Sequence, residues 1–199
     1  DWLQVGARIN FSRKHFSRAN TYNNMYQYIW RWGSFFIPSG TIDGQDYRVI
    51  AMQKQASRSI NVTDRTRLNA YVKANITKDL TLNADYTYDI ENENYKQSNH
   101  SVYGMNWTGI APTYIVQTST TNARRDNTKS NRWTANAYLN YSHTFADAHN
   151  VNVMAGINGE NYSSDYFSAL RTQLYSEDYP ELNLAYGDMA KATIDSETG

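Results

Sequence analysis

The sequence predicts an all-β fold in which antiparallel strands form part of a transmembrane outer-membrane β-barrel with long extracellular loops. Three observations predict it: segments that alternate apolar and polar residues, connections that alternate between short and long, and apolar faces rich in alanine. A period of two places one set of side chains on each face of a strand. The alternating segments cover residues 3–12, 67–76, 80–90, 132–141 and 151–158.

Each segment has one apolar and one polar face. Charged side chains on the polar faces include Arg8, Lys73, Asp85 and Arg132, which suit a water-filled lumen. The apolar faces of the five segments, in chain order, carry Leu3, Val5, Ala7, Ile9 and Phe11; Leu68, Ala70, Val72, Ala74 and Ile76; Leu80, Leu82, Ala84, Tyr86, Tyr88 and Ile90; Trp133, Ala135, Ala137, Leu139 and Tyr141; and Val151, Val153, Ala155 and Ile157.

The connections differ sharply in length. A tight turn at residues 77–79 joins the second and third segments, and a short one around residues 146–149 joins the fourth and fifth. We predict long loops over residues 13–64, 91–130 and after about 163. Outer-membrane barrels have short periplasmic turns and long extracellular loops, and their strands cross the bilayer with about 9–11 residues.

The side chains on the apolar faces fit a lipid environment. A soluble sandwich core needs large interlocking side chains, whereas acyl chains fill the space beside an alanine. Aromatic residues cluster towards the segment ends, as in the interfacial girdles of membrane barrels; they are Phe11, Tyr86, Tyr88, Trp133, Tyr141 and Phe145. An ordinary amphipathic antiparallel sheet is the alternative interpretation of the same pattern.

Composition excludes several classes of protein. The net charge is zero, with 19 basic and 19 acidic residues, so a nucleic-acid partner is not expected. Cysteine is absent, the four histidines lack metal-binding spacing, and catalytic or nucleotide-binding motifs are missing. We therefore expect neither an enzyme nor a cofactor. The strand pattern starts at the first residues and the last segment lacks a closing element, so we expect a piece of a longer protein.

The candidate contact residues lie in the predicted loops. Residues 22–32 form the densest aromatic stretch, and flat rings with an arginine suit a ligand or a protein partner, although they also suit packing of the loop onto its neighbours. The same two interpretations apply to residues 103–107. The candidates for ligand or partner contact are Tyr26, Tyr28, Trp30, Arg31, Trp32 and Trp107.

Several of these stretches resemble one family, the SusC-like TonB-dependent transporters of the bacterial outer membrane. The loop sequences YQYIWRWG at 26–33 and GTIDG at 40–44 are similar to an extracellular loop of that family, and ITKDLTL at 76–82 is similar to one of its hairpins. HNVNV at 149–153, AG at 155–156 and PELN at 180–183 are similar to a later strand and loop. The order and spacing of the motifs carry the resemblance.

The resemblance implies a 22-stranded barrel with an N-terminal plug, of which residues 1–199 form part of the barrel domain. It also implies nutrient uptake of glycans, oligosaccharides or peptides, energised by the TonB complex and assisted by a SusD-like surface lipoprotein. Two alternatives remain: a soluble cell-surface β-protein that binds glycans, like an adhesin or lectin, and a passive barrel channel.

Overall fold

A computed structural model describes residues 1–20, 40–106, 109–146, 148–187 and 189–198, the last segment by its backbone alone. Six strands form one antiparallel sheet, which confirms the predicted all-β class. Their order in the sheet is β1 (Leu3–Ala19), β4 (Arg58–Asn75), β5 (Leu80–Asn99), β8 (Asn122–Phe145), β9 (His149–Thr172) and β10 (Met189–Thr198). Among the described strands the sheet is open, with β1 and β10 at its edges.

The cross-strand register aligns the predicted apolar faces of five strands into one surface, which we call the apolar face. Each cross-strand row on it joins residues from β1, β4, β5, β8 and β9, and a slip of one residue on any strand would break every row. Two such rows are Val5–Val72–Ala84–Ala137–Ile157 and Leu3–Ala74–Leu82–Leu139–Ala155.

Aromatic rings lie at both ends of the apolar face. At one end Trp133 stacks with Tyr86 at 6.3 Å between ring centroids. At the other, His143 packs between Tyr141 and Phe145, with centroids 6.2 and 4.5 Å away. The predicted position of aromatic residues near the segment ends is therefore confirmed for Tyr86, Trp133, Tyr141 and Phe145.

The hairpin of β4 and β5 closes through the predicted tight turn. The Thr77 hydroxyl accepts hydrogen bonds from the backbone N–H groups of Asp79 and Leu80, a local side-chain interaction that favours turns. Asp79 also accepts a hydrogen bond from His143 on β8, at 2.9 Å. We call this end of the sheet the turn end and the opposite one the loop end. At the second short connection Ala146 has a φ of 52°.

The predicted loop boundaries are wrong, because the strands continue well beyond the alternating segments. The structure has strand where the pattern predicts loop, at residues 13–19, 58–64, 91–99, 122–130 and 163–172. Polar residues predominate on both faces there, so the alternation weakens while the backbone pairing continues. Cross-strand pairs hold these extensions together. An example is Arg13, whose guanidinium donates two hydrogen bonds to Asp64, at 2.6 and 2.7 Å.

At the loop end of the sheet, the connections between strands form a small module, which we call the loop module. It contains the helix α1 (Arg48–Gln55), which the sequence analysis missed, the short hairpin β2 (Thr41–Ile42) and β3 (Gln45–Asp46), and the hairpin β6 (Val102–Met105) and β7 (Pro112–Val116). A 3-10 turn (Leu182–Leu184) precedes β10. Within the described residues, no helix has the length and apolar character needed to cross a membrane.

Asp43 and Gly44 form the tip of the β2–β3 hairpin. Asp43 and Gly44 both have positive φ, 49° and 77°, which is the conformation that Asp-Gly favours in two-residue hairpins.

Candidate functional site

The face opposite the apolar face is polar and lined by cross-strand contacts, and we call it the polar face. Asn136 donates a hydrogen bond to Asp85 at 3.0 Å, and Asn69 donates one to Thr87 at 2.9 Å. Near β1 the ring of Tyr71 lies directly over Gly6, where a Cβ atom would collide with that ring. The polar face is therefore an ordered surface of amides, hydroxyls, rings and charges.

A cleft of about 250 Å³ opens on the polar face. Its row Asn10–Arg67–Asp89–Arg132–Tyr162 is one residue beyond the row of Ile9 and Trp133, which lies on the opposite face. The cleft therefore lies at the loop-end border of the apolar band. We call it the arginine cleft, and its charged and aromatic lining consists of Arg65, Arg67, Asp89, Glu91, Arg132 and Tyr162.

Asp89 is committed to the arginines of β4. Its two oxygens accept hydrogen bonds from the Nε and Nη2 of Arg67, at 2.8 and 3.0 Å, and Oδ1 lies 3.5 Å from the Arg65 Nε. The Asp89 side chain is only 14% exposed, whereas those of Arg65 and Arg67 are nearly half exposed. A bidentate pair of this kind fixes the orientation of both groups.

Arg132 on β8 lies on the other side of Asp89 and has different neighbours. Its guanidinium carbon lies 5.3 Å from the centre of the Tyr162 ring. In the part of the chain that the structure describes, Arg132 forms no ion pair with a carboxylate. The Tyr162 hydroxyl lies 3.3 Å from the Ser130 hydroxyl, which in turn lies 3.2 Å from that of Ser164. An exposed cation and a chain of hydroxyls thus line the same side of the cleft.

A second charged group lies nearer the loop end of the polar face. Arg124 donates hydrogen bonds to Asp126 at 2.9 Å and to the Tyr166 hydroxyl at 3.2 Å. These hydrogen bonds raise the pKa of Arg124 above its usual value, and the bond to Asp126 contributes most. Ser168 also donates to Asp126, at 2.7 Å. Because these partners satisfy the Arg124 guanidinium, this group stabilises the sheet and is less suited than Arg132 to an incoming anion.

The Arg13–Asp64 pair belongs to the apolar-face side of the sheet, beyond the last apolar row. Hydrogen bonding to Arg13 holds the pKa of Asp64 below its usual value, although desolvation opposes the shift. The pair therefore stays ionised at neutral pH and marks the point where this side of the sheet becomes polar.

The loop module contains a second cleft. The side-chain amide of Gln55 in α1 donates to the Tyr103 carbonyl at 2.7 Å and accepts from the Tyr103 N–H at 3.0 Å, which fixes the helix to β6. Tyr103 meets Tyr114 edge to face at 5.3 Å. The cleft between this hairpin and the connection after β9 measures about 530 Å³ and is also lined by Gln173 and Tyr186.

The six candidate contact residues of the sequence analysis, Tyr26, Tyr28, Trp30, Arg31, Trp32 and Trp107, lie outside the described residues. Their role stays a prediction. Of the neighbouring aromatic stretch at 103–107, the structure describes Tyr103, which packs on Tyr114 and lines the loop cleft while remaining 41% exposed. Both proposed roles, packing and contact, remain compatible with that position.

The arginine cleft was missed as a unit. Arg132 was noted among the polar-face charges, but its assembly with Arg65, Arg67 and Tyr162 depends on a register that alternation alone does not supply. A signal was present in the spacing: Arg65 and Arg67, like Asp89 and Glu91, stand two residues apart and therefore on one face of a strand.

Comparison with known proteins gives one informative result. No family model matches the chain, and no curated protein matches it either. Among solved structures, the chain is similar to the RagAB peptide importer in its open-open state, with a TM-score of 0.68 and 14% sequence identity. The match covers 100% of this chain and 22% of that one. At this identity the likeness shows the fold: the sheet is built like part of an outer-membrane transporter barrel.

Proposed function

We propose that the chain is a wall segment of an outer-membrane transporter of the SusC type, with the apolar face towards lipid and the polar face towards the lumen. The single observation that carries the proposal is the alignment of the apolar segments into one continuous face on five strands. From Trp133 to Phe145 a tilted strand rises about 30 Å along the membrane normal. That distance fits an apolar band of about 25 Å with an aromatic girdle at each end.

The exposure of the apolar face supports lipid contact over the soluble adhesin-like alternative. Ile9 is 74% exposed and Ile157 is 78% exposed, and they belong to one contiguous surface. Water-soluble proteins rarely leave a large contiguous apolar patch open. A lipid bilayer removes this surface from water without a second sheet.

The substrate class, the energy source and the partner are proposed from the sequence resemblance and the likeness to a peptide importer. On this proposal the complete protein imports peptides or oligosaccharides with TonB-supplied energy and binds a SusD-like lipoprotein at the loop end. The chain itself contributes walls and loops and catalyses no reaction. The chain spans 22% of the length of the importer that it resembles, so these activities belong to the complete protein.

Transport is tested in the bacterium that makes the full-length protein. Uptake of fluorescently labelled tetrapeptides and maltooligosaccharides is compared between wild-type cells, cells lacking the transporter gene and cells lacking TonB. We expect uptake of at least one probe to disappear in both deletion strains. Uptake that requires the transporter gene but survives loss of TonB would favour the passive channel and reject active transport.

The orientation predicts which residues face the outside of the cell. Cysteine in place of Ile110 or Tyr175, which are 82% and 84% exposed at the loop end, should react with a membrane-impermeant maleimide on intact cells. Cysteine in place of Lys78, in the turn between β4 and β5, should react only after the outer membrane is opened. Labelling of the Lys78 position alone on intact cells would invert the orientation.

A further inference from the structure

We propose that the arginine cleft is a carboxylate-binding site on the lumen wall, with Arg132 as its main ligand and Arg65 as its second. The inference rests on the proposed function and deepens it, because it assigns a chemical group to the solute that passes the wall. That group is a carboxylate of a peptide or of an acidic sugar.

The charge balance of the cleft leaves room for one anion. Three guanidinium groups face two carboxylates, those of Asp89 and Glu91, so one positive charge is in excess. Asp89 pairs with the other two arginines and not with Arg132: its oxygens accept from Arg67 at 2.8 and 3.0 Å, and the Arg65 Nε lies 3.5 Å away. An incoming carboxylate would complete the ion pairing on the Arg132 side.

The geometry around Arg132 suits such an anion. The guanidinium lies 5.3 Å from the centre of the Tyr162 ring, and stacking on a ring leaves the donors at the edge of the guanidinium plane available. The Ser130 and Ser164 hydroxyls next to Tyr162 provide further donors. Arginine with neighbouring hydroxyls is a common way to bind a planar carboxylate.

The position of the cleft favours a solute over a fixed ion pair within the sheet. The cleft is open, and Arg65 and Arg67 keep nearly half of their side-chain surface exposed. It lies at the loop-end border of the apolar band, which in the proposed orientation is the outer part of the lumen. An arginine there would meet an anion entering from outside the cell early on its path.

The test measures binding to the purified full-length protein in detergent by calorimetric titration. The probes are trialanine against trialanine amide, and digalacturonate against maltose, at low salt. We expect at least one acidic probe to bind and its neutral counterpart to bind at least tenfold more weakly. Binding of trialanine would indicate a peptide carboxylate, and binding of digalacturonate would indicate an acidic sugar. Higher salt should weaken binding of the acidic probe.

Arg132→Gln should weaken binding of the acidic probe by about tenfold to a hundredfold, as expected for loss of charge-assisted hydrogen bonds. The affinity of Arg132→Lys should lie between those of the wild-type protein and Arg132→Gln, since lysine keeps the charge but loses the planar array of donors. Lys129→Gln is the matched control: it removes the same charge three residues away on the opposite face of β8 and should leave affinity unchanged. If Arg132→Gln fails to fold, as judged by heat-modifiable mobility, Arg65→Gln replaces it.

The proposal is overturned if the acidic probes do not bind the wild-type protein, if the neutral probes bind equally well, or if the folded arginine variant keeps wild-type affinity. Failure of transport is a separate result. If wild-type cells show no TonB-dependent uptake but the purified protein still binds the acidic probe, the proposed function is rejected and the carboxylate site is retained.

Discussion

Arginine in place of Leu139 is expected to destabilise the folded barrel by about 2–4 kcal/mol, the effect of a charge on the lipid face near the bilayer midplane. Leu139 lies midway between Trp133 and Phe145 on β8 and pairs with Leu82 and Ala155 on the apolar face. A guanidinium at this depth must either leave water or thin the membrane around it. The free energy of unfolding is measured by denaturant titration of the full-length protein in lipid vesicles.

The matched control is arginine at the next residue. Asn140 points to the polar face, where its cross-strand neighbours are Thr81 and Met154, so Asn140→Arg should cost much less than Leu139→Arg. The same contrast is expected between Leu68, Val72, Leu82 or Val153 on the apolar face and Asn69 or Asn83 on the polar face. Equal costs at Leu139 and Asn140 would contradict the assignment of the two faces.

The apolar face could be predicted from sequence because it follows a strict period of two. Every second residue between Leu3 and Phe11 must be apolar, and no residue of the polar set can take its place without loss of stability. The same rule holds on the four following strands, and it specified which residues share each face. The tight turn at Thr77 could also be predicted, since the Thr77 hydroxyl and the residues that follow it form the turn through local hydrogen bonds.

Beyond the apolar face that rule no longer applies. Between Glu91 and Asn99 of β5 both faces are polar, so periodicity gives no signal, and pairing with β4 and β8 maintains the strand. Individual contacts there are specific, such as the hydrogen bond from Asn127 to Asn92 at 2.8 Å. Such pairs depend on the register of distant segments, which a single sequence does not reveal.

The arginine cleft could not be predicted for the same reason. Arg67 and Arg132 are 65 positions apart in the chain and become neighbours only because β5 lies between β4 and β8. The helix α1 was missed because it is short: eight residues do not give a periodic pattern long enough to recognise. Its stability comes from packing on the β6–β7 hairpin.

That packing leads to a second large effect. Met52 in α1 is fully buried and forms a small core with Ala51, Val102 and Ile115. Met52→Ala should destabilise the loop module by about 2–5 kcal/mol, because a cavity replaces the side chain in a core with few other contacts. We expect the module to open locally while the long strands stay paired.

Hydrogen–deuterium exchange of the full-length protein measures this separation. The backbone N–H groups of Ala51 and Ala56, which donate to the Tyr47 and Met52 carbonyls, should exchange at least tenfold faster in the Met52 variant. Amides of β8 paired with β9 should keep their protection. Gln53→Ala, on the exposed side of the same helix, is the control and should leave both regions unchanged. Simultaneous loss of protection in β8 and β9 would mean that the loop module and the sheet form one cooperative unit, contrary to the small and separate core around Met52.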